Sequence, residues 1–367
     1  MMFSSKTSFC TSVCAATSLF SLVFQSLALA GSSILVDVTT GKVLAQDHAF
    51  QRSYPASVTK LMTSYIAFRA MKAGQLTQDS PVTISARAAK QPPSKMGYKA
   101  GNKLTLDNAL KIMLVKSAND IAVAVGETVG GVNYPDLMNS EAKRLGMSGS
   151  HFVNANGLHD ANHYTTARDM AILSSALRTE FPEYAFYFNV EAIQYGKTME
   201  PNYNLLLGRY AGADGMKTGF VCASGYNMVA SATRAGHTLV AVVFGELTQE
   251  DRADRAAMLL SNGFAAPESG MDTLATLKPS GEEALPAVNM RDIACKKGAA
   301  ESHWGGRDVE GKMTFASPEI ILRTTPPTPV FVGLIPAPKV DKTKLKGTIS
   351  DTKTPAKVAK KPKKKNG

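Results

Sequence analysis

Short strand-like runs stand on both sides of a helical block in this 367-residue chain. Near the amino end, residues 34–37 and 42–46 flank the turn Thr39-Thr40-Gly41; far downstream, residues 215–221, 226–233 and 238–244 alternate or run apolar. Between them the apolar spacing turns helical over 57–73, 106–115, 120–129, 134–145 and 166–178, and again afterwards over 250–260. Arg234-Ala235-Gly236-His237 reads as a hairpin turn. Strands that enclose helices in sequence predict an α+β fold with a mainly antiparallel sheet. The folded domain is expected over 31–265. From 266 to 338 the pattern weakens to short runs (314–316, 319–322, 330–335) that suit strands, either as a small carboxy-terminal module or as an extension of the first domain.

The net charge of +11 would suggest a nucleic-acid partner only if it lay on a folded face. It does not. Lys6 is the sole charge of residues 1–30, whose apolar stretch and Ala28-Leu29-Ala30 read as a secretory signal cleaved before Gly31. Ser18, Ser21, Gln25 and Ser26 argue against the alternative, a retained membrane anchor. Residues 339–367 carry eleven Lys against Asp341 and Asp351 and follow a Pro-rich linker; such a segment buries too little apolar surface to order itself. With +1 in the leader and +9 in the tail, +1 remains for residues 31–338, so no nucleic acid is expected. Export leaves Cys222 and Cys295 in an oxidising compartment, either paired or as two buried thiols.

Three short motifs carry the chemistry. Ser57-Val58-Thr59-Lys60 opens an amphipathic helix after Pro55, Ser117-Ala118-Asn119 interrupts a helical region, and Lys217-Thr218-Gly219 lies on an expected strand. A serine hydroxyl is a weak nucleophile at neutral pH and needs a base; Lys60, three residues on, shares its helix face. Its ordinary pKa of about 10.4 must fall for that role, and burial together with the cation Lys217 would lower it. His159 and His163 have the spacing of a metal pair, but they sit in a Gly- and Asn-containing loop without a nearby Glu and are read as solvated loop residues. No metal site and no cofactor are expected.

The order and placement of these motifs resemble the serine-active penicillin-recognising enzymes, and most closely the low-molecular-mass penicillin-binding proteins that act as D-alanyl-D-alanine carboxypeptidases. The likeness runs roughly from Ser33 to Ala265 and includes Pro55 to Thr63, Ser117 to Asp120, Tyr164 to Met170 and Asp214 to Gly219. It implies the penicillin-binding-protein/β-lactamase-like fold, with the sheet flanked by helices and a helical subdomain, a periplasmic or cell-envelope location, peptidoglycan stem peptides as substrate and β-lactams as covalent ligands. It further implies that Ser57 is the nucleophile, that Lys60 or a relay through Ser117 handles its proton, and that Ser117 protonates the leaving amine. Asn119 would bind the substrate backbone, Lys217 would supply positive potential and Thr218 would hold the terminal carboxylate. The N–H groups of Ser57 and Phe220 would form the oxyanion hole, and any side chain at Gly219 would obstruct a peptide lying along the strand edge.

Two positions depart from the pattern. Asn202-Tyr203-Asn204 stands where some relatives carry an Arg, and the carboxylate-binding Arg expected after the last strand corresponds to Arg252 or to Arg255. A class A β-lactamase would need a Glu-x-x-Leu-Asn loop, which the sequence lacks. A DD-endopeptidase on the same scaffold and a non-catalytic peptidoglycan-binding protein remain as alternatives. The Lys-rich tail suits an anionic membrane surface or wall polymer.

Overall fold

The computed structural model describes residues 1–2, 31–265, 272–296 and 313–336. The expected leader therefore falls outside it apart from its first two residues, as does the whole Lys-rich tail.

The chain begins with the hairpin β1 (Ser33–Asp37) and β2 (Val43–Asp47). Asp37 Oδ1 closes its turn by accepting from the backbone and hydroxyl of Thr40 at 2.7 and 3.0 Å. A 3-10 turn, Ala56–Thr59, then feeds α1 (Lys60–Lys72). The helical subdomain follows with β3 (Pro81–Thr83), α2 (Ala86–Ala89), β4 (Lys103–Thr105), α3 (Leu106–Val115), α4 (Asn119–Gly130), α5 (Tyr134–Leu145) and α6 (Ala167–Glu180). Thr105 and Thr166 cap α3 and α6 by accepting from the N–H three residues on, as the free first-turn donors require. After β5 (Ala192–Tyr195) and β6 (Thr198–Pro201) come the long strands β7 (Ala213–Val221), β8 (Gly225–Arg234) and β9 (His237–Glu246), then α7 (Gln249–Ala265), α8 (Arg291–Ala294) and β10 (Pro329–Phe331). Ala235 and Gly236, both with positive φ, form the two-residue turn between β8 and β9 that a tight hairpin demands.

The five-stranded sheet runs β2-β1-β9-β8-β7, antiparallel throughout, so the first strand closes against the last. Alternation along the strands sorts side chains into two cores. Ile34, Val36, Val240, Val242 and Phe244 join the core shared with α1, α3, α4 and α6, whereas Leu35, Leu239, Ala241 and Val243 pack on Ala253, Ala256, Ala257 and Leu260 of α7. Covering both faces explains why β8 and β9 are almost wholly buried, and each large aliphatic enclosed there contributes about 1.5–3 kcal/mol. One end of this sheet is β7, whose outer edge faces the helical subdomain and bounds the site described below.

The two carboxy-terminal segments lie on this body. Cys222, just past β7, is disulfide-bonded to Cys295 with the Cα atoms 5.4 Å apart, so the two cysteines are paired. Met290 donates to the Ala223 carbonyl at 3.0 Å, and Arg323 binds Glu191 at 3.0 Å. β10 pairs parallel with β5, giving a three-stranded sheet β10-β5-β6. Of the three runs expected as strands here, only 330–335 contributes one; residues 314–316 and 319–322 are irregular and tied through Asp254 and the Arg209 carbonyl.

Candidate active site

The turn Ala56–Thr59 places Ser57 at the amino end of α1 and buries Lys60 completely beneath it. Lys60 Nζ lies 2.8 Å from Ser57 Oγ, 2.9 Å from Asn119 Oδ1 and 2.7 Å from the Asn156 carbonyl. Burial, with the charge of Lys217 adding to it and Asp120 opposing, holds the Lys60 amine well below the usual lysine range. A neutral amine has two N–H donors and one lone pair. The carbonyl oxygens of Asn119 and Asn156 can only accept, so they take both N–H groups and the lone pair is left for the Ser57 hydroxyl. This arrangement can draw the proton from Ser57.

Two loops build the walls. Residue 117 has φ +59°, and this left-handed step separates α3 from α4 and turns Ser117 and Asn119 into the cavity. Asn119 is oriented by its Nδ2, which donates to Pro92 and Pro93 at 3.1 and 3.2 Å. Asp120, fully buried, fixes the facing loop by accepting from the N–H groups of Met96 and Gly97. The second loop, residues 152–158, is stitched to α1 by Thr63 Oγ1, which donates to Ala155 O at 2.7 Å, and to the segment after α2 by Asn156 Nδ2, which donates to Gln91 Oε1 at 2.8 Å.

The third wall is the β7 edge. Thr218, Gly219, Phe220 and Val221 line the same cavity of about 620 Å³ as Ser57, Ser117, Asn119 and Arg252. A Cβ on Gly219 would sit 2.9 Å from both Pro55 O and Ser57 N and 3.0 Å from Val58 N. The nearest obstacle to a side chain here is therefore the serine turn itself, not only a bound peptide. Lys217 is buried with its Nζ donating to Thr218 O at 2.9 Å, and burial, with Arg252 nearby, brings its pKa down to about 7. Arg252 Nη1 donates to Gly219 O at 3.3 Å and its Nη2 to Tyr203 O at 3.3 Å; burial lowers its pKa to about 10, so it keeps its charge at neutral pH. The structure thus brings Ser57, Lys60, Ser117, Asn119, Lys217, Thr218, Gly219, Phe220 and Arg252 into one place.

The sequence profile of D-alanyl-D-alanine carboxypeptidases matches residues 23–248. The chain belongs to the D-alanyl-D-alanine carboxypeptidase family. DacC, a D-alanyl-D-alanine carboxypeptidase of Escherichia coli, is 35% identical over 255 residues, covering 67% of this chain and 63% of that protein. DacA of Haemophilus influenzae is 34% identical over 279 residues, covering 74% and 70%. The match thus spans a little under two thirds of the first of these relatives. Among solved structures, penicillin binding protein 5 from Haemophilus influenzae superposes with a TM-score of 0.61 at 34% identity, over 65% of this chain and 71% of that one. Penicillin-binding protein D2 from Listeria monocytogenes, in an ampicillin-bound form, gives 0.57 at 29% identity, over 64% and 97%. The α+β penicillin-binding-protein-like fold expected from the sequence is the one observed.

Within this D-alanyl-D-alanine carboxypeptidase scaffold, Arg252 and Arg255 separate cleanly. Arg255 points to the β1–β2 hairpin, donating to Ser33 and Asp47 at 3.2 and 3.1 Å, and only Arg252 lines the cavity. Tyr203 also lines it, beside Arg252. His163 corrects the reading of two solvated histidines: His159 is exposed, but His163 is buried with its Nδ1 accepting from Val153 N, so its Nε2–H donates to Thr59 at 2.8 Å. Burial takes its pKa down to about 3, leaving it neutral as a brace between the serine turn and the 152–158 loop. Asn156, Gly157, Ser94 and Asn227 were not expected at the site. An Asn-Gly pair marks a turn at Asn156 and Gly157 but not its role, whereas nothing local marks Asn227.

Proposed function

We propose that the protein is an exported serine D-alanyl-D-alanine carboxypeptidase that removes the terminal D-alanine from peptidoglycan stem peptides and is acylated by penicillin. The observation that carries this reading is the 2.8 Å contact between Ser57 Oγ and the buried amine of Lys60, which desolvation holds well below the usual lysine range. Lys60 takes the Ser57 proton as Oγ attacks the carbonyl of the penultimate residue. The N–H groups of Ser57 and Phe220 receive the developing oxyanion, each such donor being worth a factor of about 100 to 1000 in rate. Ser117 gives its proton to the leaving D-alanine amine as the C–N bond breaks and regains one from Lys60, and water then hydrolyses the acyl-enzyme. Thr218 and Arg252 bind the terminal carboxylate, Asn119 binds the peptide backbone, and Lys217 adds positive potential. No metal or organic cofactor enters these steps. The Cys222–Cys295 disulfide and the leader-like amino end support export. Among the described residues no helix is long and apolar enough to cross a membrane, and we assign envelope attachment to the Lys-rich tail on the strength of its charge alone.

Fluorescent penicillin should label the wild type covalently and slowly releasably, and leave Ser57→Ala unlabelled; a D-Ala-D-Ala pentapeptide should lose one D-alanine by mass spectrometry. Rapid drug turnover would instead indicate a β-lactamase, cleavage only of cross-linked peptides an endopeptidase, and no reaction at all a binding protein.

A further inference from the structure

The two N–H groups assigned to the oxyanion belong to separate parts of the fold: Ser57 to a turn leading into the helices, Phe220 to the edge strand. Something must hold them at a fixed separation. On β8, Asn227 stands directly opposite Gly219 in the strand register, so its side chain shares the face from which the glycine has removed its own. Asn227 is fully buried, and its amide spans the gap: Nδ2 donates to the carbonyls of Tyr54 and Pro55 at 2.9 and 3.2 Å, immediately ahead of Ser57. Its Oδ1 accepts from Gly245 N at 3.1 Å, where the β8–β9 pairing slips out of register. Its own carbonyl and that of Gly219 both accept from Arg252 Nη1, at 3.4 and 3.3 Å.

We infer that Asn227 is the positioning residue that sets the spacing of the Ser57 and Phe220 N–H groups by tying the serine turn to the sheet. The inference rests on the functional reading above. It touches neither substrate nor reacting atoms; it acts through the backbone of residues 54–57. A misplacement on the order of 1 Å in such a site costs about 100-fold in rate.

The test uses full-length Asn227→Asp, which keeps shape and the acceptor for Gly245 but loses the donors, and Asn227→Ala. Acylation rates with fluorescent penicillin are measured from pH 5 to 9, with thermal melts, and non-covalent penicillin affinity is measured in a Ser57→Ala background. The expected result is acylation by Asn227→Asp slowed about 100-fold at pH 7, with affinity changed less than about threefold. The variant-to-wild-type ratio should climb as pH falls. Burial raises the new carboxyl's pKa and Arg252 lowers it, but in either case protonation restores an O–H that can donate to a carbonyl of residue 54 or 55. A purely structural role would lower the melting temperature and leave the acylation rate and its pH profile intact. A folded Asn227→Asp that reacts at the wild-type rate throughout pH 5 to 9, or loses only affinity, overturns the inference, and this variant decides the matter should Asn227→Ala fail to fold. A wild type that penicillin does not label sinks the functional reading first.

Discussion

Asn119 turns its side-chain oxygen to within 2.9 Å of Lys60 Nζ because its nitrogen is already committed to Pro92 and Pro93. The neutral carbonyl dipole accepts an N–H without stabilising a full positive charge as a carboxylate would. Asn119→Asp should therefore raise the Lys60 pKa, moving the acid limb of the acylation rate to higher pH and slowing the reaction at pH 7 by about 10- to 100-fold. A pH–rate profile checks this, and a limb that stays in place would count against Lys60 as the base.

Gly157 approaches Ala56 so closely that a Cβ would lie 1.7 Å from the Ala56 carbonyl oxygen, and its φ is +81°. Gly157→Ala must then push the 152–158 loop away, carrying the Asn156 carbonyl off Lys60. The expected cost is more than about 2 kcal/mol of stability, together with at least about tenfold slower acylation. Gly41→Ala, at φ +70° with nothing within 4 Å of the added carbon, is the control and should cost only about 1 kcal/mol with no kinetic effect. Denaturant melts and penicillin labelling separate the two.

The long elements were legible because burial imposes a period on them: α5 spans the residues its spacing predicts, and β7 to β9 each begin and end within two residues of expectation. Strands such as β3, β4 and β6, three or four residues long, hold too little pattern to stand out from turns. At the site, Ser57, Lys60, Ser117 and Lys217 were readable as residue types at telling spacings. Asn156 was not, because it serves through its main chain, and Asn227 was not, because its partners are 172 and 173 residues away. His163 misled for a related reason: its neighbours in sequence are polar, but its neighbours in space are Thr59 and Phe152.

Lys217 is buried, and its pKa of about 7 against an ordinary 10.5 means that the unfolded chain holds more protons than the folded one between those values. Its contribution to stability is unfavourable at neutral pH and fades as pH rises from about 7 to 10.5. Lys217→Met should accordingly melt higher than wild type at pH 7, by an amount on the order of a few kcal/mol at most, while its acylation collapses. The stability advantage should shrink toward pH 10. An advantage that is constant with pH would mean that Lys217 is not desolvated in solution.

The Lys-rich segment beyond residue 338 should act through charge, each Lys near an anionic surface contributing about 1 kcal/mol. Deleting residues 339–367 is expected to reduce binding to anionic vesicles at low salt and leave turnover of soluble pentapeptide unchanged. Equal sedimentation of the truncated and full chains with vesicles would reduce the tail to a solubilising extension.

The Cys222–Cys295 bond closes a 73-residue separation, and chain entropy alone sets its contribution at about 4 kcal/mol, with measured cases commonly nearer 2 to 4. It sits one residue beyond Val221, which lines the cavity, and the segment ahead of Cys295 pairs with Arg52 through Val288 N, but the Ser57 turn has further ties of its own, to Asn227 and to the 152–158 loop. The double variant Cys222→Ser/Cys295→Ser should therefore lose about 2–4 kcal/mol of stability while its acylation rate at 25 °C stays within about threefold of wild type. Both follow from melts and labelling on one preparation. Acylation that falls further, in a protein still folded at the assay temperature, would mean that the segment around Met290 shapes the β7 edge and not merely its stability.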